Sequence, residues 1–245
     1  MAPGMYCQES PATFDVASVK PSGGLGGLTR YLPNGGIQFT GVTLKVLVEI
    51  AYGVRPFQVI GGPGWIDIDG FDIDARPPID SANPGDPATL SREQRKVGER
   101  LRSLLADRFG LTIHRETREQ PVYTLVAANG GPKLKESAEG KNFVRAGRGS
   151  IIGQSVGLRM LVVNLSNVLD RQVIDKTGLT GSYDFELKWA PDIVSSGPDG
   201  ALPPSDTEGP SLFTALSDQL GLRLASTKGP VQVWVIDGVE KPSLN

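Results

Sequence analysis

Ile37-Gln38-Phe39-Thr40-Gly41-Val42-Thr43-Leu44-Lys45-Val46-Leu47-Val48-Glu49-Ile50-Ala51 is the stretch whose reading decides the fold. Ile37–Val42 reads as a strand. Leu44, Leu47, Val48 and Ala51 then fall at i, i+3, i+4 and i+7, which places all four on one helix face. The pattern returns as Ile151–Val156 followed by Leu158, Leu161, Val162 and Leu165. At an offset of 114, Ile37, Val42, Leu44, Leu47 and Val48 recur identically as Ile151, Val156, Leu158, Leu161 and Val162.

Outward from this core the correspondence continues. Phe71-Asp72-Ile73-Asp74 answers to Tyr183-Asp184-Phe185-Glu186, and Leu101–Leu111 answers to Leu212–Leu222. Gly110 and Gly221 each follow the last apolar helix residue, where a left-handed C-cap favours glycine. Ser91 with Gln94 has the spacing of a capping box and predicts a helix start there. Pro121-Val122 and Pro230-Val231 open matching strands, Tyr123–Val126 and Gln232–Ile236. The expectation is an α+β protein of two duplicated halves, each βαββαββ, with mixed or antiparallel sheets and helices on one face. Residues 1–13 read as a flexible stub, 14–135 as the first half and 136–245 as the second. The Pro/Gly/Ser-rich crossovers Arg76–Thr89 and Pro191–Pro210 read as disordered rather than as lids, because structureless loops of that length are uncommon in compact domains.

Composition bounds the function. With 245 residues the chain is long enough for a sizeable core, and 39% hydrophobic with 21% charged residues is ordinary globular usage. A net charge of −2 lacks the dense cationic footprint of a nucleic-acid binder. Even the most apolar segment, Val42–Val54, carries Lys45 and Glu49, so no transmembrane segment is expected. One cysteine, Cys7, rules out an intrachain disulfide, and one histidine, His114, rules out His-rich catalytic zinc.

Three stretches carry a family resemblance: Phe14-Asp15-Val16-Ala17-Ser18-Val19-Lys20-Pro21, Asp175-Lys176-Thr177-Gly178-Leu179-Thr180-Gly181-Ser182-Tyr183-Asp184-Phe185, and Val235-Ile236-Asp237-Gly238-Val239-Glu240-Lys241-Pro242-Ser243. Through them nearly the whole chain resembles a soil-bacterial family of exported proteins with a domain of unknown function. Some members join that domain to membrane metallopeptidases of the beta-lactam-sensor type. The resemblance implies a secreted or periplasmic bacterial protein and supplies no catalytic residues; Met1–Ser10, small and polar without a basic-then-apolar signal, reads on its own composition as the stub of a trimmed leader. The small βαβ units also resemble the short repeat domains of outer-membrane secretins, a likeness of fold alone.

Candidate chemistry sits in three places. Gly153-Gln154-Ser155-Val156-Gly157 matches the G-x-S-x-G nucleophile elbow, with a strand before it and a helix after. Against it, the histidine precedes the serine, the first half has Gly41 at the matching position, and no parallel sheet is evident. The structural alternative is a strand-to-helix turn with Ser155 near the N-cap. His114 alternates outward from Leu111 and Ile113, beside Glu116, and is either a general base or a solvated strand residue. Asp67, Asp69, Asp72 and Asp74 crowd around an Asp-Gly pair. Their oxygens suit calcium, although the spacing is not an EF-hand and the pair also reads as a hairpin turn.

Other motifs carry less. Asp175-Lys176-Thr177-Gly178 matches the phosphorylated aspartate of cation pumps without their membrane helices, and Lys176-Thr177-Gly178 matches penicillin-binding enzymes without a Ser-x-x-Lys. Ser22–Gly27 lacks the Gly-Lys-Ser/Thr of a phosphate loop and reads as flexible backbone. Trp65, Trp189 and Trp234 read as core.

The sequence supports two functions. The first is an exported hydrolase of a small ester or lactone, an acyl homoserine lactone being one substrate of that class. Ser155 or a metal-bound water would attack, His114 with Glu116 would move the proton, and the four aspartates would hold calcium. The alternative is a non-catalytic exported module that binds a ligand or a cell-envelope partner. The first is favoured because four candidate groups occur in one half only: Ser155 is matched by Gly41, His114 by Ala225, Asp67 by Leu179 and Asp69 by Gly181.

Overall fold

The decisive stretch forms the expected pair of elements. In the computed structural model, which describes residues 12–32, 35–78, 87–137, 140, 142–190 and 209–242, with the backbone alone at 87–95, strand β3 (Ile37–Thr43) runs directly into helix α1 (Leu44–Tyr52). Leu44, Leu47, Val48 and Ala51 are all buried, as the 3.6-residue period requires. Gly53 ends the helix at φ 63, its N–H returning to the Glu49 carbonyl. The second occurrence is strand β9 (Ser150–Gly157) into helix α3 (Leu158–Val168), with Leu158, Leu161 and Leu165 buried.

The chain divides into two compact units, one of residues up to Thr117 together with the segment from Gln232, the other Arg118–Val231. These units divide the chain differently from the halves expected at 14–135 and 136–245. In the first unit, β1 (Val16–Pro21), β2 (Leu28–Tyr31), β3 and β5 (Gly70–Arg76) form an antiparallel sheet of order β1-β5-β3-β2. Helix α2 (Pro87–Phe109) packs on α1. Gly98 makes the close approach possible, since a Cβ there would stand 3.2 Å from the Ala51 carbonyl oxygen. Arg102 locks the contact, donating from Nε to the same carbonyl at 2.8 Å and lying 4.8 Å over the Tyr52 ring. The core gathers Ile37, Phe39, Phe71 and Ile73 from the sheet with Leu101, Leu105 and Phe109 from α2.

In the second unit, β7 (Lys135–Glu136), β8 (Phe143–Gly147), β9 and β11 (Ser182–Lys188) form an antiparallel sheet of order β7-β11-β9-β8. Helix α4 (Leu212–Ala215) runs on as a π turn over Leu216–Leu220. Its core joins Ile151, Leu161, Leu165, Leu187 and Leu216. Two long strands complete the element order, β6 (Thr112–Ala127) and β12 (Leu222–Gly238). In the first unit, Trp234–Ile236 of β12 pairs in parallel with β4 (Val59–Gly61). In the second unit, Tyr123–Leu125 of β6 pairs in parallel with β10 (Val173–Asp175).

The fold is thus α+β, with four helices among the described residues. Three local expectations change. The strands expected to open at Pro121 and Pro230 are the later parts of single long strands, because β6 and β12 run through those prolines. The helix expected to start at Ser91 begins at Pro87, so Ser91 lies inside it, and its side chain lies outside the described residues. No hairpin forms at Asp69-Gly70: a 3-10 turn, Gly64–Asp67, leads into the single strand β5. Glycine C-caps do occur where expected, at φ 57 for Gly110 and φ 63 for Gly221. Most of both crossovers, the stub through Pro11, and Cys7 within it lie outside the described residues.

Candidate functional site

Ser155 owes its place to a β-bulge. Pairing between β9 and β11 shifts register there, and Ser155 takes φ 51, in the left-handed region that disfavours a side chain. Its backbone N–H donates to Asp184 Oδ1 at 2.7 Å. The first unit has the same device. Gly41 sits at φ 63 where β3 and β5 shift register, and its N–H donates to Asp72 Oδ1 at 2.8 Å. Ser155 is 9% exposed. It does not cap α3, since the N-cap is Gly157 and no side chain caps it.

His114 projects from β6, half exposed, with Nδ1 2.9 Å from each carboxylate oxygen of Asp237. Its Nε2 stands 3.8 Å from Glu116 Oε2. The bond to Asp237 raises the imidazole pKa above its ordinary value, and the charge of Glu116 adds to the effect. Asp237 is a partner that sequence reasoning missed. It occupies the third of the stretches that carry the family resemblance, but it lies 123 residues from His114 along the chain. Ser155 belongs to the second unit, and His114, Glu116 and Asp237 to the first.

The four aspartates separate. Asp67 pairs with Lys45 at 3.0 Å, and Asp69 with Lys241 at 2.7 Å. Asp72 closes the Gly41 bulge. Asp74 accepts from Gln38 Nε2 at 2.9 Å and Arg76 Nε at 3.3 Å, and those bonds, Gln38 first, hold its carboxyl below the usual range. Among the described residues, no group of three or more His, Cys, Asp or Glu side chains is placed to hold a metal ion.

Beside Asp69 lies a cleft of about 490 Å³, formed wholly within the first unit. Leu25, Ile68, Phe71, Pro21 and Pro242 give it apolar walls, while Asp69 and Lys241 supply its charges. Leu25 and Ile68 are 64% and 67% exposed, unusual for large aliphatic side chains lining one cleft. Trp65 stands behind the charged end, edge-on to Phe71 at 6.1 Å, with Lys241 Nζ 5.7 Å from its ring centre. It combines a packing contact with a cation contact, so it is more than core filler.

The wall made by Ser22–Gly27 is not loose backbone. Ser22 N–H donates to the Gly70 carbonyl at 2.8 Å, and Gly26 and Gly27 N–H donate to the Gly41 carbonyl at 3.2 and 3.3 Å. The approach needs Gly41, where a Cβ would stand 2.2 Å from Gly26 N and 2.6 Å from the Gly24 oxygen. The bulge and the cleft wall are therefore one construction. In Asp175–Leu179 the side-chain bonds are local: Thr177 donates from N and Oγ1 to Asp175 Oδ1 at 2.9 and 2.7 Å, an Asx-type turn.

Among the described residues no helix is long and apolar enough to cross a membrane. No curated protein and no solved structure matches the chain. Over residues 45–239 it matches the family described as proteins of unknown function, DUF3738, and the chain belongs to that family.

Proposed function

We propose that this chain is a non-catalytic module that binds a small ligand in the first unit's cleft. One observation carries the reading. The cleft combines exposed aliphatic walls, Leu25 and Ile68, with a single ion pair, Asp69–Lys241, at one end. Apolar lining with a few placed polar groups is the usual make-up of a small-molecule site. By contrast, Ser155 N–H and Asp72 are engaged in the two bulges, and Asp67 and Asp74 in surface pairs. Export belongs to this proposal and rests on the resemblance, as do the bacterial source and the link to membrane metallopeptidases. We propose too that the halves are copies of one βαββαββ unit. The matching sheet orders and the paired bulges at Gly41 and Ser155 support it.

The test is a fragment screen read by amide NMR shifts on the purified chain, with Leu25→Arg as the blocked control. Shifts clustered on Ser22–Leu25, Ile68–Phe71 and Lys241, lost in the control, are expected. Fragments that leave those residues unmoved refute the reading.

A second reading, hydrolysis of a small ester or lactone, is favoured by the His114–Asp237 pair. A histidine oriented by a carboxylate is a recurring base arrangement. Calcium assistance within that reading would place the cation on carboxylates already engaged, Asp69 with Lys241 and Asp72 with the Gly41 amide. Turnover of a short-chain ester and lactone panel that disappears in His114→Ala, with and without calcium or chelator, would establish it. Absence of turnover throughout would end it for these substrates.

A further inference from the structure

The charges of the cleft select a ligand class, an inference that rests on the binding reading. The two charged side chains are unequal partners. Lys241 is 60% exposed at its side chain and Asp69 36%, so the ammonium is the charge an incoming molecule meets. An ammonium has three donors, and Asp69 takes one of them at 2.7 Å. In the Ser22–Gly27 wall, among the described residues, the backbone N–H groups of Gly23, Gly24 and Leu25 meet no protein acceptor, while those of Ser22, Gly26 and Gly27 do. Lys241 and these three residues, whose amides are unclaimed among the described residues, line the same cleft. An amine would meet Lys241 first and be repelled. A dianion would leave two uncompensated charges, because Asp69 already balances Lys241. A monoanion leaves one, and the two ammonium donors of Lys241 that Asp69 does not take favour it over a neutral molecule.

The remaining lining decides the other end. Leu25, Ile68, Phe71, Pro21 and Pro242 offer hydrocarbon and no side-chain hydrogen-bonding group. The volume of about 490 Å³ lies in the range for small-molecule sites.

We propose that the cleft takes a small organic monocarboxylic acid, its carboxylate on Lys241 and the Gly23–Leu25 amides and its hydrocarbon body between Leu25 and Ile68. The carboxylate shares the Lys241 ammonium with Asp69 rather than displacing it.

The experiment titrates straight-chain alkanoates of increasing length into the intact chain, with alkanols and alkylamines of the same lengths as comparison series. Trp65 fluorescence and the amide shifts of Gly23, Gly24 and Leu25 are the readouts. Affinity for alkanoates should rise about fourfold per methylene until the walls are covered. Lys241→Met, which keeps the stem and removes the charge, should weaken alkanoates about tenfold or more and leave alkanols nearly unchanged, consistent with a charged hydrogen bond of about 1.5–3 kcal/mol. Ile68→Ser should flatten the chain-length dependence, and since Ile68 is largely exposed this variant should fold.

Alkanols or alkylamines that bind as tightly as alkanoates would overturn the acid assignment while leaving the binding reading in place. So would alkanoate binding indifferent to Lys241→Met. Failure of all three series would also overturn the acid assignment. If the fragment screen leaves the cleft unmoved as well, the binding reading falls with it.

Discussion

Exchanging the two bulge residues separates a packing role from a chemical one. Gly41→Ser introduces a Cβ 2.2 Å from Gly26 N at φ 63. The left-handed conformation alone costs a side chain about 1–2 kcal/mol. The loop must also withdraw, and the two bonds from Gly26 and Gly27 to the Gly41 carbonyl contribute about 1 kcal/mol each. The total is about 3–4 kcal/mol, or a fall in Tm of about 10 °C at 2–4 °C per kcal/mol for a chain of this size. Ser155→Gly runs the other way. It relieves the left-handed strain of about 1–2 kcal/mol against a backbone entropy cost of about 0.5–1 kcal/mol. That variant should be as stable as the parent or about 1 kcal/mol more stable. Both are read by urea unfolding followed by circular dichroism and tryptophan fluorescence. Gly41→Ser within about 1 kcal/mol of the parent, or Ser155→Gly losing more than about 1 kcal/mol, would refute the bulge account.

Asp72→Ala and Asp184→Ala should each destabilise by about 1.5–3 kcal/mol, since each carboxylate serves a bulge amide, and equally with calcium or chelator present. The His114 pKa, followed by NMR, should lie above its ordinary value and fall in Asp237→Asn. Because the folded pKa is raised, the stabilisation is complete below the unfolded value of about 6.5 and is lost as pH rises through the folded one. Asp237→Asn should therefore lower stability at about pH 5 and leave it unchanged at about pH 9. Gly153→Ala places a Cβ 2.6 Å from the Phe185 ring and should cost about 1–3 kcal/mol in chemical denaturation, as overpacking does. A cost under about 0.5 kcal/mol would show that the ring has room to move.

What the sequence made legible depended on how local the signal was. The helices α1 and α3 and the strands before them were readable because burial there follows a period set within about a dozen residues. The strands β2, β7 and β8 were not, because as short and largely exposed strands they carry no apolar alternation to read. The His114–Asp237 pair joins residues 123 apart in the chain, which no local pattern encodes. Asp69 was marked as a ligand by its neighbours in sequence, yet its partner is Lys241 near the far end of the chain. The cleft was hidden for a further reason. Its wall is positioned by the missing side chain of Gly41, and a glycine read alone does not reveal what lies against it.

The G-x-S-x-G stretch can be accounted for position by position. Gly157 is the N-cap of α3, and Ser155 occupies the bulge. Gly153 answers to Phe39 at the offset of 114, a large change at a sheet position that needs an explanation. Cross-strand pairing supplies it. Phe39 pairs with Ile73 in the first sheet, whereas Gly153 pairs with Phe185 in the second. In the second sheet the aromatic ring stands on the other strand, opposite a glycine where a Cβ would lie 2.6 Å from it. Cross-strand pairs are the unit on which a sheet face packs, so a phenylalanine on β11 demands a small partner on β9. Strand pairing therefore accounts for Gly153 and capping for Gly157, whereas the bulge fixes the backbone of residue 155 without calling for a serine there. The His114–Asp237 pair differs in kind from both glycines, because there a carboxylate holds an exposed imidazole and no packing demand explains the choice of histidine.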